Sequence, residues 1–514
     1  MDWTEGYTSD VAYTSGFYRE QGPALLDFIC VLNGYEPTAM VNDFTWCELG
    51  CGQGLTANLL AASHPKGQFY AIDFNPAYVA GARQLATAAG LTNLTFIEDS
   101  FEAMAVGTYN LPQFDYITLH GTYTWVSAQN RNHIVRFIAR YLKPGGIVYV
   151  SYNAMPGWNV ALPLQRLLIE HANLHPMGGE AQLSGATKFI EHLEAAQASY
   201  FVSNAGIKPY LDMLKSANPR YLVHEYLNTC WHPLYHADVA RELAEAKMQF
   251  VGMVDMSFFD IALQSFPEKS ELLNSIADST LRETVKDYFL NTSFRKDVYV
   301  RGARKINELR KAKLLTQFSL ALLVPRAEVK LIVKIGVNEV TCKREIYEPV
   351  LDAIAQGPQT WDQLALLPAL QGQDINALAQ VFGVLTASEQ ACCYRHQLEV
   401  IPKITAALAI NRVLAAQARL NDEYAAFCSP LLGNGVQMKW LERLVYDAIA
   451  QDVSATDHEA IIAYAWRIQN TQNLLFLKDG ELVTSVEENK AELEKVIKSI
   501  LTDCLPLWRQ LGII

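Results

Sequence analysis

No stretch of the 514-residue chain reaches about 18 uninterrupted apolar residues, so no membrane-spanning helix is expected. The opening Met1-Asp2-Trp3-Thr4-Glu5 lacks the basic start and apolar run of a signal peptide, and none is expected. Cysteine is sparse: nine residues, scattered and odd in number, fit a reducing cytoplasm better than a disulfide framework. Cys47 and Cys51 have no second ligand pair to complete a zinc site, and Cys392-Cys393 reads as packing. In a cytoplasmic protein the sequons at Asn93 and Asn291 carry no meaning. Positive charge is also short, since a net charge of −12 argues against a general polyanion binder. One segment departs from this: positions 300–344 hold eleven Lys or Arg against three Glu. A solvated surface explains that excess better than an acidic partner does. What the chain does have is apolar bulk, at 50% hydrophobic residues, enough for a sizeable core and roughly two to four domains.

The most informative stretch is Trp46 to Gly54, W-C-E-L-G-C-G-Q-G. An apolar lead-in, an acidic residue and three alternating glycines describe a strand that runs into a tight turn. A helix is expected from about Leu55 to Ser63. Glycine permits φ > 0 and lets a ligand approach where a Cβ would block it. Counted from Gly50, the dinucleotide pattern G-x-G-x-x-G needs glycine at position 55, where Leu55 stands. Counted from Gly52, only the looser form ending in Ala57 is met.

Downstream, Gln68–Ile72 reads as a second strand ending in Asp73-Phe74-Asn75. An acidic residue there is placed to accept from two ribose hydroxyls. It could also start the helix Pro76–Thr87, although Asn75-Pro76 can supply that cap. Leu94–Ile97, Phe114–Leu119 and Ile147–Tyr152 read as further strands, with a helix at Arg131–Tyr141 and a Lys143-Pro-Gly-Gly146 turn. Such alternation predicts a parallel sheet with helices on both faces.

The E-x-G-x-G-x-G spacing resembles the first motif of class I S-adenosylmethionine (SAM)-dependent methyltransferases, and the L-K-P-G-G turn is typical of that fold. The resemblance implies SAM as cofactor. It assigns Glu48, Gly50, Cys51, Gly52 and Gly54 to the glycine loop, and Asp73, Phe74 and Asn75 to the ribose end. Asp99, Ser100 and Phe101 fall to the adenine. DNA-directed relatives carry an Asp/Asn-Pro-Pro-Tyr-like motif after the fourth strand; its absence here counts against a nucleobase acceptor.

The fourth and fifth strands end in aromatic segments containing Tyr123, Trp125, Tyr152 and Trp158. Aromatic walls hold a lysine stem and its cationic head, so these are expected to line a substrate cleft. Tyr7, Asp10, Tyr13, Phe17 and Tyr18 are read as a lid over the cofactor, with Tyr13 touching it. His120, Tyr123, Tyr152, Asn153 and Trp158 are the expected catalytic residues, and His120 is placed at the cofactor as well. His120, Tyr123 and Asp10 are the candidates for hydrogen bonding or proton acceptance.

His120-Gly-Thr-Tyr-Thr-Trp-Val126 and Asn153-Ala-Met-Pro-Gly-Trp158 look like paired motifs of bacterial methyltransferases with a methyltransferase regulatory domain. That group includes rickettsial lysine methyltransferases of outer-membrane proteins. Tyr221-Leu-Val-His-Glu-Tyr-Leu-Asn228, continuing to Val251-Gly252, is similar to the regulatory signature. Residues 219–302 read as a helix (Ala237–Lys247) with short strands (Gln249–Asp255).

Beyond these, helices at Arg344–Ala355, after the Gly357-Pro358 turn, and at Ile375–Leu385 resemble a winged helix. Asp374–Gln390 contains no Lys or Arg, so protein interaction is preferred to DNA contact. The tail carries apolar helical stripes at Ile404–Leu420, Trp440–Ala450 and Ala491–Leu511, with Gly433-Asn434-Gly435 as a turn.

The expected fold class is α/β. A Rossmann-like, doubly wound methyltransferase domain (1–215) precedes an α+β regulatory domain (216–305), a winged-helix-like domain (306–400) and a helical domain (401–514). The expected activity is methyl transfer from SAM to a protein lysine. A small-molecule or natural-product acceptor, or a SAM-binding interaction module with little catalysis, stands as the alternative. A protein substrate is the expected partner, with no nucleic acid, no metal and a homodimer left open.

Overall fold

The computed structural model describes residues 15–38, 43–255, 267–335, 338–396, 401–478 and 481–514. The expected lid residues Tyr7, Asp10 and Tyr13 lie outside the described residues. No described helix is long and apolar enough to cross a membrane.

Helix α1 (Pro23–Leu32) leads into the sheet, starting on a proline whose missing N–H costs a helix nothing there. The alternation then runs β1 (Thr45–Leu49), α2 (Leu55–Ser63), β2 (Gln68–Asp73), α3 (Pro76–Ala88), β3 (Leu94–Glu98), α4 (Phe101–Val106), β4 (Phe114–Leu119), α5 (Ala128–Tyr141) and β5 (Leu142–Asn153). Helices begin where the sequence offers caps: Asn75 accepts from Ala77 and Tyr78, Ser100 from Ala103, and Ser127 from Asn130. Strands β1 to β5 pair in parallel, with β1 between β2 and β4. Every residue of β4 is buried, the mark of a strand covered on both faces.

Lys143-Pro-Gly-Gly146 is not a separate turn. Leu142 pairs with Phe114 and Ile147 with Tyr116, so the four residues form a bulge inside β5. Gly145, at φ +80, takes the bend.

A helical layer follows: α6 (Leu162–Leu174), α7 (Gly179–Ala195), α8 (Ser199–Ser203), α9 (Lys208–Ser216) and α10 (Pro219–Leu227). Its apolar faces meet around Trp125, Trp158, Leu168, Ile190, Tyr226 and Trp231. Then come α11 (His236–Ala244), β6 (Met248–Met253) and β7 (Phe294–Arg301). Strand β7 is antiparallel to both β5 and β6, giving the order β3-β2-β1-β4-β5-β7-β6. The expected boundary at 215/216 thus crosses one continuous seven-stranded sheet.

Beyond the sheet, β8 (Phe318–Leu322) sits between β11 (Gln359–Thr360) and β12 (Ala391–Arg395), after the hairpin β9 (Ile332–Ile335) and β10 (Asn338–Thr341). The helices Arg344–Gln356, Trp361–Ala365 and Ile375–Ala387 accompany this sheet, whose middle strand precedes all three. The third helix is largely buried and so presents no free recognition face. Part of the basic excess in 300–344 goes into ion pairs, Arg310 with Glu36 at 2.6 Å and Arg326 with Asp352 at 2.8 Å.

The tail adds an element the sequence reading lacked, a hairpin of β13 (Ala426–Ser429) and β14 (Asn434–Gln437). It packs with the helix Ile401–Gln417 on the outer side of α2. All nine residues of α2 are buried as a result. Asn434 donates to the Arg19 carbonyl at 2.9 Å, and a Cβ on Gly435 would lie 2.6 Å from the Phe17 ring. One core runs from Trp46 and Leu59 to Phe427 and Tyr446.

Candidate active site

Strand order reverses between β1 and β4, and the crevice beyond the carboxyl ends of such strands is where ligands bind in open α/β sheets. A cavity of about 450 Å³ lies there. It is lined by residues that directly follow, or end, β1, β2, β3 and β4: Gly50, Asp73, Asp99 and His120 among them.

The glycine loop floors it. Gly50, Gly52 and Gly54 all have positive φ, at +74, +53 and +68. A Cβ on Gly50 would strike Thr122, and one on Gly54 would strike Phe96 and Ala82, so these two allow close packing. A Cβ on Gly52 would meet nothing within 4 Å, which leaves the open space to a ligand. The Gly50 and Cys51 N–H groups both donate to the Ile72 carbonyl, tying the loop to β2. Helix α2 starts at Gly54 with no side-chain cap.

Three carboxylates sit around the loop. The Asp73 Oδ2 accepts from Gly52 N at 2.8 Å and Oδ1 from Asn75 N at 2.9 Å. Burial nonetheless lifts Asp73 to about 6, against the lowering effect of those N–H groups. Glu48 accepts from Gln21 through Oε1 at 2.7 Å, while its Oε2 is buried with no partner among the described residues. Burial raises it to about 8, the Gln21 bond opposing and the Asp73 charge reinforcing. Asp99 accepts from Ser100 N at 2.7 Å and from the Tyr109 hydroxyl at 2.7 Å.

At the end of β4, His120 is stacked on Tyr18, with centroids 3.7 Å apart, and its Nδ1 lies 2.9 Å from the Tyr149 hydroxyl. Burial lowers it to about 4; the nearby Glu20 works the other way and Lys296 adds to the lowering. At neutral pH His120 is therefore an uncharged imidazole. Glu20 itself is driven down to about 2, because Lys296, His120 and Arg19 outweigh its burial.

Among the described residues, five carboxylates line the cavity (Glu48, Asp73, Glu98, Asp99 and Glu225) and no Lys or Arg does. Such a lining suits a cationic ligand and opposes a pyrophosphate.

The sequence-expected residues divide. Glu48, the loop residues Gly50, Cys51, Gly52 and Gly54, Asp73 with Phe74, and Asp99 with Ser100 and Phe101 all reach the cavity, as does His120. Asn75 stands behind it as the cap of α3. Of the four aromatics at the strand ends only Trp125 lines it. The Tyr123 hydroxyl donates to Glu242 at 2.6 Å, and Arg131 reaches the same carboxylate at 3.1 Å. Tyr152 donates to Asp297 at 2.7 Å, inside a buried group where Arg295 meets Asp297, Asp287 and Glu283. Asn153 is buried beside Thr124, and Trp158 donates to the Ser293 carbonyl and packs on Trp231. These side chains anchor the helical layer and β7 to the sheet rather than forming a cleft. Tyr18 is the only described member of the expected lid in the cavity wall, because the Phe17 ring turns toward Gly435.

Among the lining residues not anticipated are His224 and Glu225 on α10. The sequence placed this His-Glu pair in a segment similar to the regulatory signature, without a role at the cavity. Only the docking of α10, about a hundred residues beyond β4 in the chain, brings them to the cavity.

Comparison with known proteins agrees with this geometry. Residues 41–197 match a family model described as "Methyltransferase domain", and residues 218–301 one described as "Predicted methyltransferase regulatory domain". An uncharacterized protein of Synechocystis sp. is 34% identical over 513 residues, spanning 100% of both chains. An uncharacterized protein of Rickettsia prowazekii is 26% identical over 314 residues, 58% of this chain and 53% of its own length. The structure of PKMT2 from Rickettsia typhi in complex with AdoHcy superposes with a TM-score of 0.70 at 19% identity, over 97% of this chain and 100% of that one. The chain belongs to the class I SAM-dependent methyltransferases that carry a methyltransferase regulatory domain.

Proposed function

We propose that the cavity holds SAM over the glycine loop and directs its methyl group to the side-chain amine of a protein lysine. The observation that carries the reading is the lining: among the described residues, five carboxylates, no Lys or Arg, and aromatic faces at Tyr18 and Trp125. An ammonium and a sulfonium are both welcome in such a site, and so is an incoming lysine.

The residues fit the cofactor. About 450 Å³ lies within the usual range for ligand pockets, roughly 300–1,000 Å³. The unpartnered Glu48 Oε2 is an acceptor for the methionine ammonium. The uncapped start of α2 offers N–H groups to the methionine carboxylate. Asp73 would take the two ribose hydroxyls and Asp99 the adenine amine, with Phe101 against the ring. SAM supplies an activated methyl on a sulfonium, a leaving group that departs as a neutral thioether.

The chain's part is then alignment, drying and proton management. Holding nucleophile and methyl in line is worth about 7–11 kcal/mol in well-oriented systems. The Tyr18–His120 stack and α10 close the cavity against water. An ordinary lysine amine titrates near 10.4 and must be deprotonated to attack. Burial beside a cation depresses that value. The fold match to a protein named PKMT2 and the resemblance to rickettsial lysine methyltransferases support lysine as acceptor.

The test is incubation of purified protein with methyl-labelled SAM and fractionated lysate, alongside Asp73→Ala. Label recovered as methyl-lysine from a protein band, and lost in the variant, is the expected result. Label confined to small molecules would remove the lysine reading, and no SAM binding by calorimetry would remove the cofactor assignment.

A further inference from the structure

One wall of the cavity is supplied neither by the glycine loop nor by the strand ends. Helix α10 closes it with His224 and Glu225, which are 3% and 9% exposed. The Tyr221 hydroxyl, one helical turn earlier, donates to the Glu225 carboxylate. Burial, the Glu225 charge and Tyr18 together push the Tyr221 phenol above its ordinary value. Tyr221 therefore lies near Tyr18, which sets this part of α10 beside the Tyr18–His120 stack. The cofactor's polar groups already have Glu48, Asp73 and Asp99 as partners, so the carboxylate that α10 adds to the lining is left for the methyl acceptor.

We propose that Glu225 is the acceptor-side carboxylate, which receives an alkylammonium group and takes one of its protons. The inference rests on the lysine reading and deepens it, by assigning the amine's partner to the regulatory segment. The reaction balances in two moves. A proton passes from R–NH3+ to a Glu225 carboxylate oxygen, leaving R–NH2 and a neutral carboxyl. The amine lone pair then forms the N–C bond while the C–S bond breaks and its electron pair stays on sulfur. The products are R–NH2CH3+ and a neutral thioether, and the Glu225 proton leaves to solvent.

The electrostatics agree. Burial holds the Glu225 carboxyl at about 8, with the Tyr221 bond lowering it, so its proton affinity approaches that of an amine beside a sulfonium. The titratable groups around it are Tyr221, His224 and Tyr226 on its own helix, with Tyr18 and His120 among the other cavity-lining residues.

The test is calorimetric titration of n-butylammonium, a lysine side-chain mimic, into the full chain saturated with S-adenosylhomocysteine, with n-butanol as the uncharged control. Wild type is expected to bind the ammonium and not the alcohol. Glu225→Gln is expected to weaken ammonium binding at least tenfold, with S-adenosylhomocysteine affinity unchanged within twofold. Equal ammonium binding by both proteins, or by neither, overturns the proposal. A parallel loss of S-adenosylhomocysteine affinity overturns it too, by making Glu225 part of the cofactor wall.

If Glu225→Gln does not fold, Tyr221→Phe serves instead. Removing that hydrogen bond raises the Glu225 pKa, so ammonium binding is expected to set in at higher pH, and an unshifted midpoint refutes the role. Ammonium binding through Glu225 without protein labelling keeps the amine site and discards the lysine reading. Lysine labelling that Glu225→Gln leaves intact does the reverse.

Discussion

The rings of Tyr18 and His120 lie 3.7 Å apart and within 15° of parallel, which joins the amino-terminal segment to the end of β4. The Tyr18 N–H also donates to Thr56 on α2 at 3.0 Å, so one residue bridges two walls of the cavity. Aromatic stacking contributes about 0.5–1.5 kcal/mol beyond area. Tyr18→Ala should therefore weaken SAM binding by roughly 2- to 10-fold in calorimetry. Tyr18→Phe, which keeps the stack, should bind as wild type does. Equal affinity in the alanine variant would show that the stack is not a wall of the cofactor site.

Glu48 gives the unliganded protein a pH signature. Its carboxyl titrates at about 8 when folded, against an ordinary value of 4.5. The folded chain thus keeps a proton that the unfolded chain releases across that interval, and stability falls as pH rises through it. Glu48→Gln removes this loss. Its melting temperature should coincide with that of wild type near pH 4 and exceed it at pH 8, while SAM affinity drops. Melting curves that differ by a constant amount at all pH values would contradict the assignment.

The glycine loop separates folding from binding. Gly54→Ala would set a Cβ 2.6 Å from Phe96 and 2.8 Å from Ala82, at φ +68. Overpacking of this kind costs about 1–3 kcal/mol, so a lower melting temperature is the expected outcome. In Gly52→Ala the Cβ meets no protein atom, leaving only the left-handed backbone cost of about 1–2 kcal/mol. That variant should fold and lose SAM, as thermal melting and calorimetry together would register.

Tyr123→Phe and Tyr152→Phe test the division of the aromatic residues. Each removes a donor from a carboxylate, Glu242 or Asp297. Asp297 is fully buried, so leaving it short of a donor costs about 1–3 kcal/mol, whereas Glu242 is 32% exposed and keeps Arg131, so its loss is smaller. Stability should fall by that order in Tyr152→Phe and by less in Tyr123→Phe, while kcat stays within twofold. A collapse of kcat at unchanged stability would return these hydroxyls to the chemistry.

The glycine loop, Asp73 and Asp99 were legible because each belongs to a local strand-to-loop signal that needs no knowledge of distant residues. The same holds for the parallel order of β1 to β5. Residues at the ends of β4 and β5 were not, since a strand sends successive side chains to opposite faces and composition alone does not say which face is the cavity. Thus Ser151 accepts from Gly121 N near the cavity, whereas Tyr152 points to Asp297. The segments that form β6 and β7 were assigned to a separate domain because residues 154–247 divide even β6 from β5, although pairing joins them to the same sheet. Glu225 was hidden for the same reason: its helix is ordinary in sequence and acquires meaning only where it docks.

Helix α2 carries the glycine loop at its first turn and the β13–β14 hairpin on its outer side. The sheet is for that reason not a cassette. A fragment ending before residue 401 would expose a helix with hardly any polar face, and grafting residues 1–305 onto another tail would meet the same obstacle. A ligand clamped at the loop should slow amide exchange in the hairpin on the other side of the helix.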